Sequence, residues 1–263
     1  MARRTTAAQL VAKSQGGERI VCLTSYDAPT AGLVEAAGAD LVLVGDSVGN
    51  VVLGFPDTRA VSLDMMIHHT QAVMRGTRSV HVCADLPFGS YQVSPSEAKR
   101  NVSRLVAETG CQSVKLEGGQ PWYGTVAAIR ELGVDVMGHL GHTPQSLGLR
   151  PSRAPWTPAE RDGIIEEARG LEAAGCFAIV LEIVPTQVAK LVTEAVSVPT
   201  IGIGSGPHCS GQVLVLHDIL GMGPALPHAR RYGEIGEAIR RAAAEYAEDV
   251  RTYRFPGDEH GFD

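Results

Sequence analysis

The sequence predicts a closed (β/α)8 barrel, and three observations predict it. Short apolar runs of strand length recur along the 263 residues, segments with helical periodicity separate most of them, and glycine ends many of the helices. Continuous apolar runs are typical of parallel strands that are covered on both faces. About 250 residues is also the usual length of such a barrel. An open, doubly wound sheet is the competing arrangement, but no GxGxxG motif follows the first run, and the even spacing favours closure.

Eight apolar runs are the predicted strands. They are Ile20–Thr24, Leu41–Val44, Val80–Cys83, Ser113–Leu116, Val134–Met137, Ala178–Leu181, Pro199–Ile203 and Val213–Leu216. Their length and their content of Val, Ile and Leu are those of buried strands.

Helical segments lie between most of these strands. The predicted helices are Ala28–Ala37, Ser62–Arg75, Pro95–Glu108, Trp122–Glu131, Thr157–Ala174 and Thr186–Ala195, with a further helix at about Glu234–Val250 in the polar tail. Ser94 and Thr157 each precede a Pro and a Glu, a combination that caps helix N-termini. Four helices are followed by glycine, at Gly38, Gly110, Gly133 and Gly175, as expected for helix C-termini. We therefore expect residues 1–263 to form one barrel domain with a C-terminal helix and tail.

Composition excludes several classes of protein. A net charge of -6 without a basic run argues against a nucleic-acid surface. No apolar run approaches the roughly 18 residues of a membrane span, and no signal-peptide segment follows the first residues. The five cysteines are scattered and never form a CxxC pair. They indicate reduced core thiols in a cytoplasmic protein.

Polar residues follow most of the predicted strands, where barrels of this type place their chemistry. In strand order they are Thr24–Asp27, Asp46-Ser47, Asp85, Lys115 with Glu117, His139, Glu182, Gly202–Gly206 and His217-Asp218. Taken singly, a strand-ending carboxylate is usually a cap or a solvated loop residue, and a lone histidine is usually a hydrogen-bonded core residue. Taken together, four acids, a lysine and a histidine at one barrel mouth are costly to bury without a cation or an anionic substrate.

Oxygen ligands from Asp46 and Asp85, with Glu117 reaching the ion through water, suit a hard divalent cation such as Mg²⁺. No His or Cys spacing indicates zinc. Lys115 and Glu117 are two residues apart on one strand and share a face, so Lys115 either neutralises an acid or faces the substrate. The glycines of Gly202–Gly206 either cradle a phosphate or let the backbone turn close to the substrate.

These residues belong to a longer pattern, and the chain resembles the ketopantoate hydroxymethyltransferase (3-methyl-2-oxobutanoate hydroxymethyltransferase) family over nearly its whole length. The matching stretches are Thr24-Ser-Tyr-Asp27, Leu43-Val-Gly-Asp-Ser47, Ala84-Asp-Leu-Pro-Phe88, Val114-Lys-Leu-Glu-Gly-Gly119, Gly138-His-Leu-Gly141, Thr143-Pro-Gln-Ser146, Leu171-Glu-Ala-Ala-Gly175, Val180-Leu-Glu182, Ile201-Gly-Ile-Gly204, His217-Asp218 and Pro256-Gly-Asp-Glu-His260. The resemblance implies a barrel of the phosphoenolpyruvate/pyruvate-type metal-dependent superfamily.

The resemblance also implies roles for single residues. Asp46 and Asp85 are expected to bind Mg²⁺ and, through it, the 2-oxo acid, with Glu117 held near the ion. Ser47 and Lys115 are expected to contact the substrate, with His139 beside the same pocket. Glu182 is expected to be the base that removes the C3 proton.

The implied reaction adds a one-carbon unit from 5,10-methylenetetrahydrofolate to C3 of 3-methyl-2-oxobutanoate, giving 2-dehydropantoate in pantothenate biosynthesis. A cation stabilises the enolate, and a base near the working pH forms it. The family's large homo-oligomers, often decamers, are expected here too. The sequence does not distinguish folate from free formaldehyde as the one-carbon donor.

Parts of the chain depart from the family pattern. The loop Ser146–Trp156 replaces a Gly-Gly-aromatic-Lys-Val-Gln-Gly segment, and His142 replaces a frequent Leu. Such changes are what a paralogue acting on another 2-oxo acid would show.

Three further hypotheses remain. The first is an aldolase with a Schiff base on Lys115, against which the nearby acid argues. The second is a C–C lyase of the phosphoenolpyruvate mutase type, against which His139 and Glu182 argue. The third is a degenerate barrel that only binds, although Asp46, Asp85 and Glu182 are all present.

Overall fold

Eight parallel strands close into a barrel in chain order, which confirms the predicted architecture. In the computed structural model, which describes residues 4–146 and 156–262, the strands are β1 Ile20–Thr24, β2 Leu41–Val44, β3 His81–Asp85, β4 Ser113–Lys115, β5 Asp135–Gly141, β6 Cys176–Glu182, β7 Thr200–Ile203 and β8 Gly211–Leu214. The barrel closes where β1 pairs with β8, with Ile20 opposite Gly211. A Cβ on Gly211 would lie 2.5 Å from the carbonyl oxygen of Ile20, so this closing contact requires glycine.

Two predicted strands were misplaced in ways that affect the site. Strand β5 continues through His139 to Gly141, beyond the predicted end at Met137, because glycine and histidine interrupt its apolar pattern. Strand β8 ends at Leu214 and not at Leu216. His217 and Asp218 consequently lie in a short helix and do not end a barrel strand as predicted.

The described residues form ten α-helices, of which the seven predicted ones begin and end close to the predicted positions. The ten are α1 Ala7–Gln15, α2 Ala28–Ala36, α3 Val48–Val51, α4 Leu63–Gly76, α5 Pro95–Thr109, α6 Tyr123–Arg130, α7 Pro158–Ala173, α8 Thr186–Ala195, α9 Leu216–Ile219 and α10 Ile235–Arg251. The predicted caps are confirmed, since the Ser94 side chain accepts from the N–H of Glu97 and Thr157 forms a capping box with Glu160. Gly110 has φ +74°, the left-handed conformation expected where α5 ends.

Helix α1 was not predicted, and it precedes the first strand. Thr6 caps it with a capping box that includes Gln9. Ala7 and Leu10 of this helix belong to the same buried cluster as barrel residues such as Ile20 and Phe177. The interior is therefore filled by side chains and is not an open channel.

Contacts divide the chain into two compact units, residues 1–215 and residues 216–263. The first holds the whole barrel. The second holds α9, α10 and a 3-10 turn at Asp258–His260, and α10 has no buried residue. The expectation of one domain over the whole chain stays a prediction.

All five cysteines are buried and free. Within residues 4–146 and 156–262, no helix has the length and apolarity that crossing a membrane requires.

Candidate active site

Two buried carboxylates lie side by side at the C-terminal ends of β2 and β3. Asp85 is the last residue of β3, and Asp46 follows β2 by two residues. The backbone N–H of Asp46 donates a 3.0 Å hydrogen bond to Asp85 Oδ2. A Cβ on Gly45 would lie 2.7 Å from Ser47 Oγ, so a side chain at this position would displace the Ser47 hydroxyl.

Lys115 is buried at the end of β4 beside this pair. Its Nζ lies 3.1 Å from Asp85 Oδ1, although the contact lacks the alignment of a hydrogen bond. Burial lowers the pKa of Lys115, but the charges of Asp85, Glu117 and Asp46 raise it above its ordinary value. A protonated amine is not a nucleophile, which argues against a Schiff base on this lysine.

A row of alternating carboxylates and imidazoles crosses the next two strands. Glu117 Oε1 lies 3.5 Å from His139 Nδ1, and His139 Nε2 lies 3.3 Å from Glu182 Oε2. His142 Nε2 lies 4.0 Å from the other oxygen of Glu182. Glu117 and His139 are buried, whereas the Glu182 side chain is 20% exposed at the open end of the row. Glu182 is therefore the acid of this row that a substrate can reach.

Burial and charge shift the acidities in this cluster. Burial, followed by the charge of Asp85, raises the pKa of Asp46 to about 7. Burial also raises the pKa of Asp85, against the opposing charge of Lys115. Burial and Lys115 lower the pKa of His139, but the facing carboxylates Glu117 and Glu182 outweigh them and raise it to about 9. His139 is consequently cationic at neutral pH. Burial raises the pKa of Glu117, but the contact with His139 and its charge outweigh burial and lower that pKa.

Ser47, predicted to contact the substrate, lies beside the carboxylate pair. Its hydroxyl is 2.8 Å from the hydroxyl of buried Tyr26, which belongs to the loop after β1. Tyr26 lay inside a matching sequence stretch but was given no role. The pair of hydroxyls supplies neutral hydrogen-bonding groups next to the acids.

Gln145 is a site residue that the sequence reasoning missed. Its Nε2 donates to Asp46 Oδ2 (2.8 Å), and its backbone N–H donates to Glu117 Oε2 (3.0 Å). Tyr91, also missed, donates to Gln145 Oε1 (2.9 Å). The available signal was the stretch Thr143-Pro-Gln-Ser146, which matched the family pattern without an ionisable group to draw attention.

The glycine-rich stretch after β7 serves backbone packing. Ser205 is fully buried, and its hydroxyl donates to the carbonyl of Leu181 (2.7 Å) and accepts from the N–H of Val184 (3.0 Å). A Cβ on Gly206 would lie 2.5 Å from Thr186 Oγ1. These contacts favour the explanation that the glycines allow close backbone approach, and not the phosphate cradle.

The residues present fit a divalent cation held by two carboxylates. Within the described ranges, no group of three or more His, Cys, Asp or Glu side chains is arranged to bind one metal ion directly. The expectation that Glu117 reaches the ion through water stays a prediction. Both oxygens of Glu117 face His139 and Gln145. Asp85 Oδ1 is buried without a well-aligned hydrogen bond. Mg²⁺ commonly takes only one or two protein carboxylates and keeps water or substrate oxygens as its other ligands, which matches Asp46 and Asp85.

Most of the loop that departs from the family pattern, residues 147–155, lies outside the described residues. His217 and Asp218, predicted at a barrel strand end, lie in α9 of the second unit.

Comparison with protein families and curated proteins gives one consistent result. Residues 4–258 match the family described as ketopantoate hydroxymethyltransferase. A 3-methyl-2-oxobutanoate hydroxymethyltransferase from Ignicoccus hospitalis is 49% identical over 260 residues, covering 97% of this chain and 98% of the relative. The enzyme of that name from Moorella thermoacetica is 48% identical over 265 residues, covering 98% of each.

Solved structures show the same fold at low identity. Phosphoenolpyruvate phosphomutase from Streptomyces platensis subsp. rosaceus superposes with a TM-score of 0.65 at 15% identity, covering 94% of this chain and 88% of that chain. A 2,3-dimethylmalate lyase of the PEP mutase/isocitrate lyase superfamily superposes with a TM-score of 0.63 at 16% identity, covering 96% and 90%. These likenesses concern the fold of the barrel alone.

Proposed function

Because this chain belongs to the ketopantoate hydroxymethyltransferase family, a family of transferases, we propose that it adds a hydroxymethyl group to C3 of 3-methyl-2-oxobutanoate. The product is 2-dehydropantoate, an intermediate of pantothenate biosynthesis. The observation that carries the proposal is the 3.3 Å distance between Glu182 Oε2 and His139 Nε2. Asp46 and Asp85 lie side by side in the same barrel.

Glu182 is the base of the proposed reaction. Its side chain is the partly exposed member of the row, and its Oε2 lies 3.3 Å from Nε2 of the His139 ring. An ionised carboxylate can take the C3 proton of the 2-oxo acid, which leaves an enolate. His139 itself is buried and contacts Glu117 on its other side, so it holds Glu182 in place and supplies positive charge.

Asp46 and Asp85 are the residues that would hold Mg²⁺ or another hard divalent cation, with Glu117 near it. Such a cation, when bound, supplies a Lewis acid for negative charge on the 2-oxo acid. Lys115 neutralises part of the acidic cluster and presents a fixed positive charge for the substrate carboxylate. Ser47, held by Tyr26, is placed to hydrogen-bond the same substrate.

The one-carbon donor in the proposal is 5,10-methylenetetrahydrofolate. The enolate carbon forms a bond to the methylene carbon, the carbon–nitrogen bonds of the donor break, and water supplies the new hydroxyl oxygen. Tetrahydrofolate leaves with two hydrogens on its freed nitrogens, of which one is the proton taken from C3 and the other comes from the water. Free formaldehyde would give the same product by direct addition, and a comparison of the two donors decides between them.

The first test is exchange of the C3 proton of 3-methyl-2-oxobutanoate in deuterated water, followed by NMR in the presence of Mg²⁺. We expect exchange that EDTA abolishes and that Glu182→Gln lowers by about 10²–10⁴-fold, the usual contribution of a general base. Glu160→Gln, at an exposed position in the first turn of α7, is the matched control and should exchange at the wild-type rate.

The outcome separates the alternatives. Exchange with other 2-oxo acids but not with 3-methyl-2-oxobutanoate would indicate a paralogue with another substrate. No exchange with any 2-oxo acid would favour a barrel that only binds. Exchange that survives EDTA would contradict the cation-dependent mechanism.

We further propose a cytoplasmic homo-oligomer, a decamer on the family pattern. Apolar side chains on α10 are exposed, among them Ile239 (53%) and Tyr246 (58%), and a second copy of the chain would cover such a face. Light scattering after gel filtration measures the assembly, and a monomer would contradict the proposal.

A further inference from the structure

Gln145 is the link between the two halves of the acidic cluster. One half is the pair Asp46 and Asp85 with Lys115, and the other is the row Glu117, His139 and Glu182. The side-chain amide of Gln145 donates to Asp46 and its backbone N–H donates to Glu117. One buried, neutral residue therefore contacts an acid of each half.

The amide group of Gln145 uses its full hydrogen-bonding capacity. Nε2 donates to Asp46 Oδ2 (2.8 Å) and to the carbonyl of Leu86 (3.0 Å). Oε1 accepts from Tyr91 (2.9 Å) and from Gln92 (3.2 Å). A primary amide has two N–H donors and two acceptor lone pairs, so each is paired.

These partners allow only one orientation of the amide. The Leu86 carbonyl can accept but cannot donate, so the nitrogen and not the oxygen of the amide must face it. The same nitrogen must then face Asp46 Oδ2, 2.8 Å away. The orientation of the Asp46 carboxylate is consequently set by a side chain that cannot itself rotate without losing paired groups.

The two neighbouring acids of the metal pair are held by different means. Asp85 is held by the cation of Lys115 and by the N–H of Asp46. Among the described residues, the donor that the structure gives to the Asp46 side chain is the neutral amide of Gln145. A neutral donor fixes a carboxylate and leaves its charge for a cation, whereas a second lysine there would cancel that charge.

We propose that Gln145 is a positioning residue that orients Asp46 through its side-chain amide and fixes Glu117 through its backbone N–H, so that the site binds a divalent cation. The inference rests on the cation site of the proposed function. Partners that orient metal ligands typically change metal affinity by about 10–100-fold when they are removed.

The test is the dissociation constant of Mn²⁺ alone, measured on the full chain by electron paramagnetic resonance of the free ion. Gln145→Met keeps the side-chain length and removes both donors and both acceptors. We expect Mn²⁺ binding to weaken by about 10–100-fold. Activity at saturating Mn²⁺ should recover in part, because the ligands themselves remain.

Gln112→Met is the matched control. Gln112 accepts from the N–H of Val82 (2.7 Å) just before β4 begins, at the opposite end of the barrel from Asp46. We expect this variant to lose thermal stability while its Mn²⁺ affinity stays at the wild-type value. Tyr91→Phe, which removes one donor to Gln145 and leaves the amide in place, should weaken Mn²⁺ binding by a smaller factor and tests the proposal if Gln145→Met does not fold.

Two results would overturn the proposal, one by removing the role of Gln145 and the other by removing the cation site itself. Wild-type Mn²⁺ affinity in a folded Gln145→Met variant would show that Gln145 only stabilises the fold. Absence of Mn²⁺ binding by the wild-type protein would remove the cation site itself and the proposed function's use of it.

Discussion

The hydroxyl of Ser205 spans Ile183, since it donates to the carbonyl of Leu181 and accepts from the N–H of Val184, at 2.7 and 3.0 Å. Ile183 has φ 53°, a conformation that β-branched residues rarely adopt. Strained backbone of this kind persists only where the surrounding contacts hold it. Ile183 follows Glu182 directly. The two hydrogen bonds of Ser205, on either side of Ile183, therefore fix the backbone that orients the candidate base Glu182.

Ser205→Ala should therefore lower catalysis more than its effect on stability explains. The variant leaves the buried N–H of Val184 without its partner, which costs about 1–3 kcal/mol of unfolding free energy. A shift of the strained corner also misplaces Glu182, and we expect the C3 exchange rate to fall by about tenfold or more. Exchange measured by NMR on the folded variant checks this.

Ser210→Ala is the control for that experiment. Ser210 accepts from the N–H of Thr200 (3.3 Å) where β7 begins, far along the strand from its catalytic end. It should lose stability without losing exchange. Equal exchange rates in the Ser205→Ala and Ser210→Ala variants would mean that the hydrogen bonds of Ser205 to Leu181 and Val184 do not position Glu182.

Asp46→Asn should stabilise the protein when no divalent cation is present. Burial and the charge of Asp85 raise the pKa of Asp46 from 3.8 to about 7, so above that pH the native state holds an ionised group that it disfavours. Removing the charge should add about 1–3 kcal/mol to the unfolding free energy at about pH 8. Urea unfolding in EDTA measures this.

The same substitution should abolish Mn²⁺ binding, because one of the two ligand carboxylates is lost. Asp64→Asn, an exposed acid on α4, is the control and should change stability by less than about 0.5 kcal/mol. A destabilised Asp46→Asn protein in EDTA would contradict the idea that the carboxylate pair is costly without a cation.

His139 should make stability fall as pH rises above neutrality. Its folded-state pKa of about 9 lies above the ordinary 6.5, so the native state binds the proton more tightly than the unfolded chain does. This contribution is complete below about pH 6.5 and is lost as the pH rises through 9, with a slope of at most about 1.4 kcal/mol per pH unit. Unfolding in EDTA between these pH values measures the slope.

His139→Gln provides the comparison, since it cannot titrate in this range. The difference in unfolding free energy between wild type and variant should shrink as pH rises. NMR of the His139 ring protons reports the same pKa directly, and a titration near 6.5 would show that Glu117 and Glu182 do not stabilise the cation.

Glu35 should make a separate contribution at acid pH, remote from the catalytic residues. Its carboxylate accepts from the N–H groups of Arg78, Ser79 and Val80, which outweigh burial and lower its pKa from 4.5 to about 2. The stabilisation is present above about pH 4.5 and is lost as pH falls through 2.

Glu35→Gln should consequently cost about 1 kcal/mol at neutral pH, a modest value because the carboxylate is partly exposed to solvent. The difference from wild type should vanish near pH 2 in unfolding experiments. The rate of C3 exchange should not change. A lower rate would mean that the hydrogen bonds between Glu35 and residues 78–80 influence the active site.

The strands were predictable because their signal is local. Leu41–Val44 is a continuous apolar run, and β2 has those bounds in the structure. The end of β5 was not predictable, since Gly138 and His139 break the apolar pattern although both are strand residues. Helix α1 was missed because it precedes the first strand and so lies outside the regular alternation of strands and helices.

Apart from Ser47, the candidate site was predictable only in its charged members. Asp46, Asp85 and Glu182 each follow or end an apolar run, and ionisable groups at such positions are conspicuous in any sequence. Gln145 carries no charge and lies four residues beyond the end of β5, so no local pattern marked it. The partners of Glu117 were likewise invisible, because His139 and Gln145 meet its two oxygens only in the folded barrel.

Local periodicity and spacing were sufficient for the barrel, its caps and the acids at its strand ends, because each of these is encoded by residues that are neighbours in the chain. The tertiary structure decided which acids share a partner. Gln145 and Asp46 are 99 residues apart, and Ser205 and Val184 are 21 apart. Such contacts arise only when the closed sheet brings the ends of distant strands together, and burial there then shifts the acidity of Asp46 and His139.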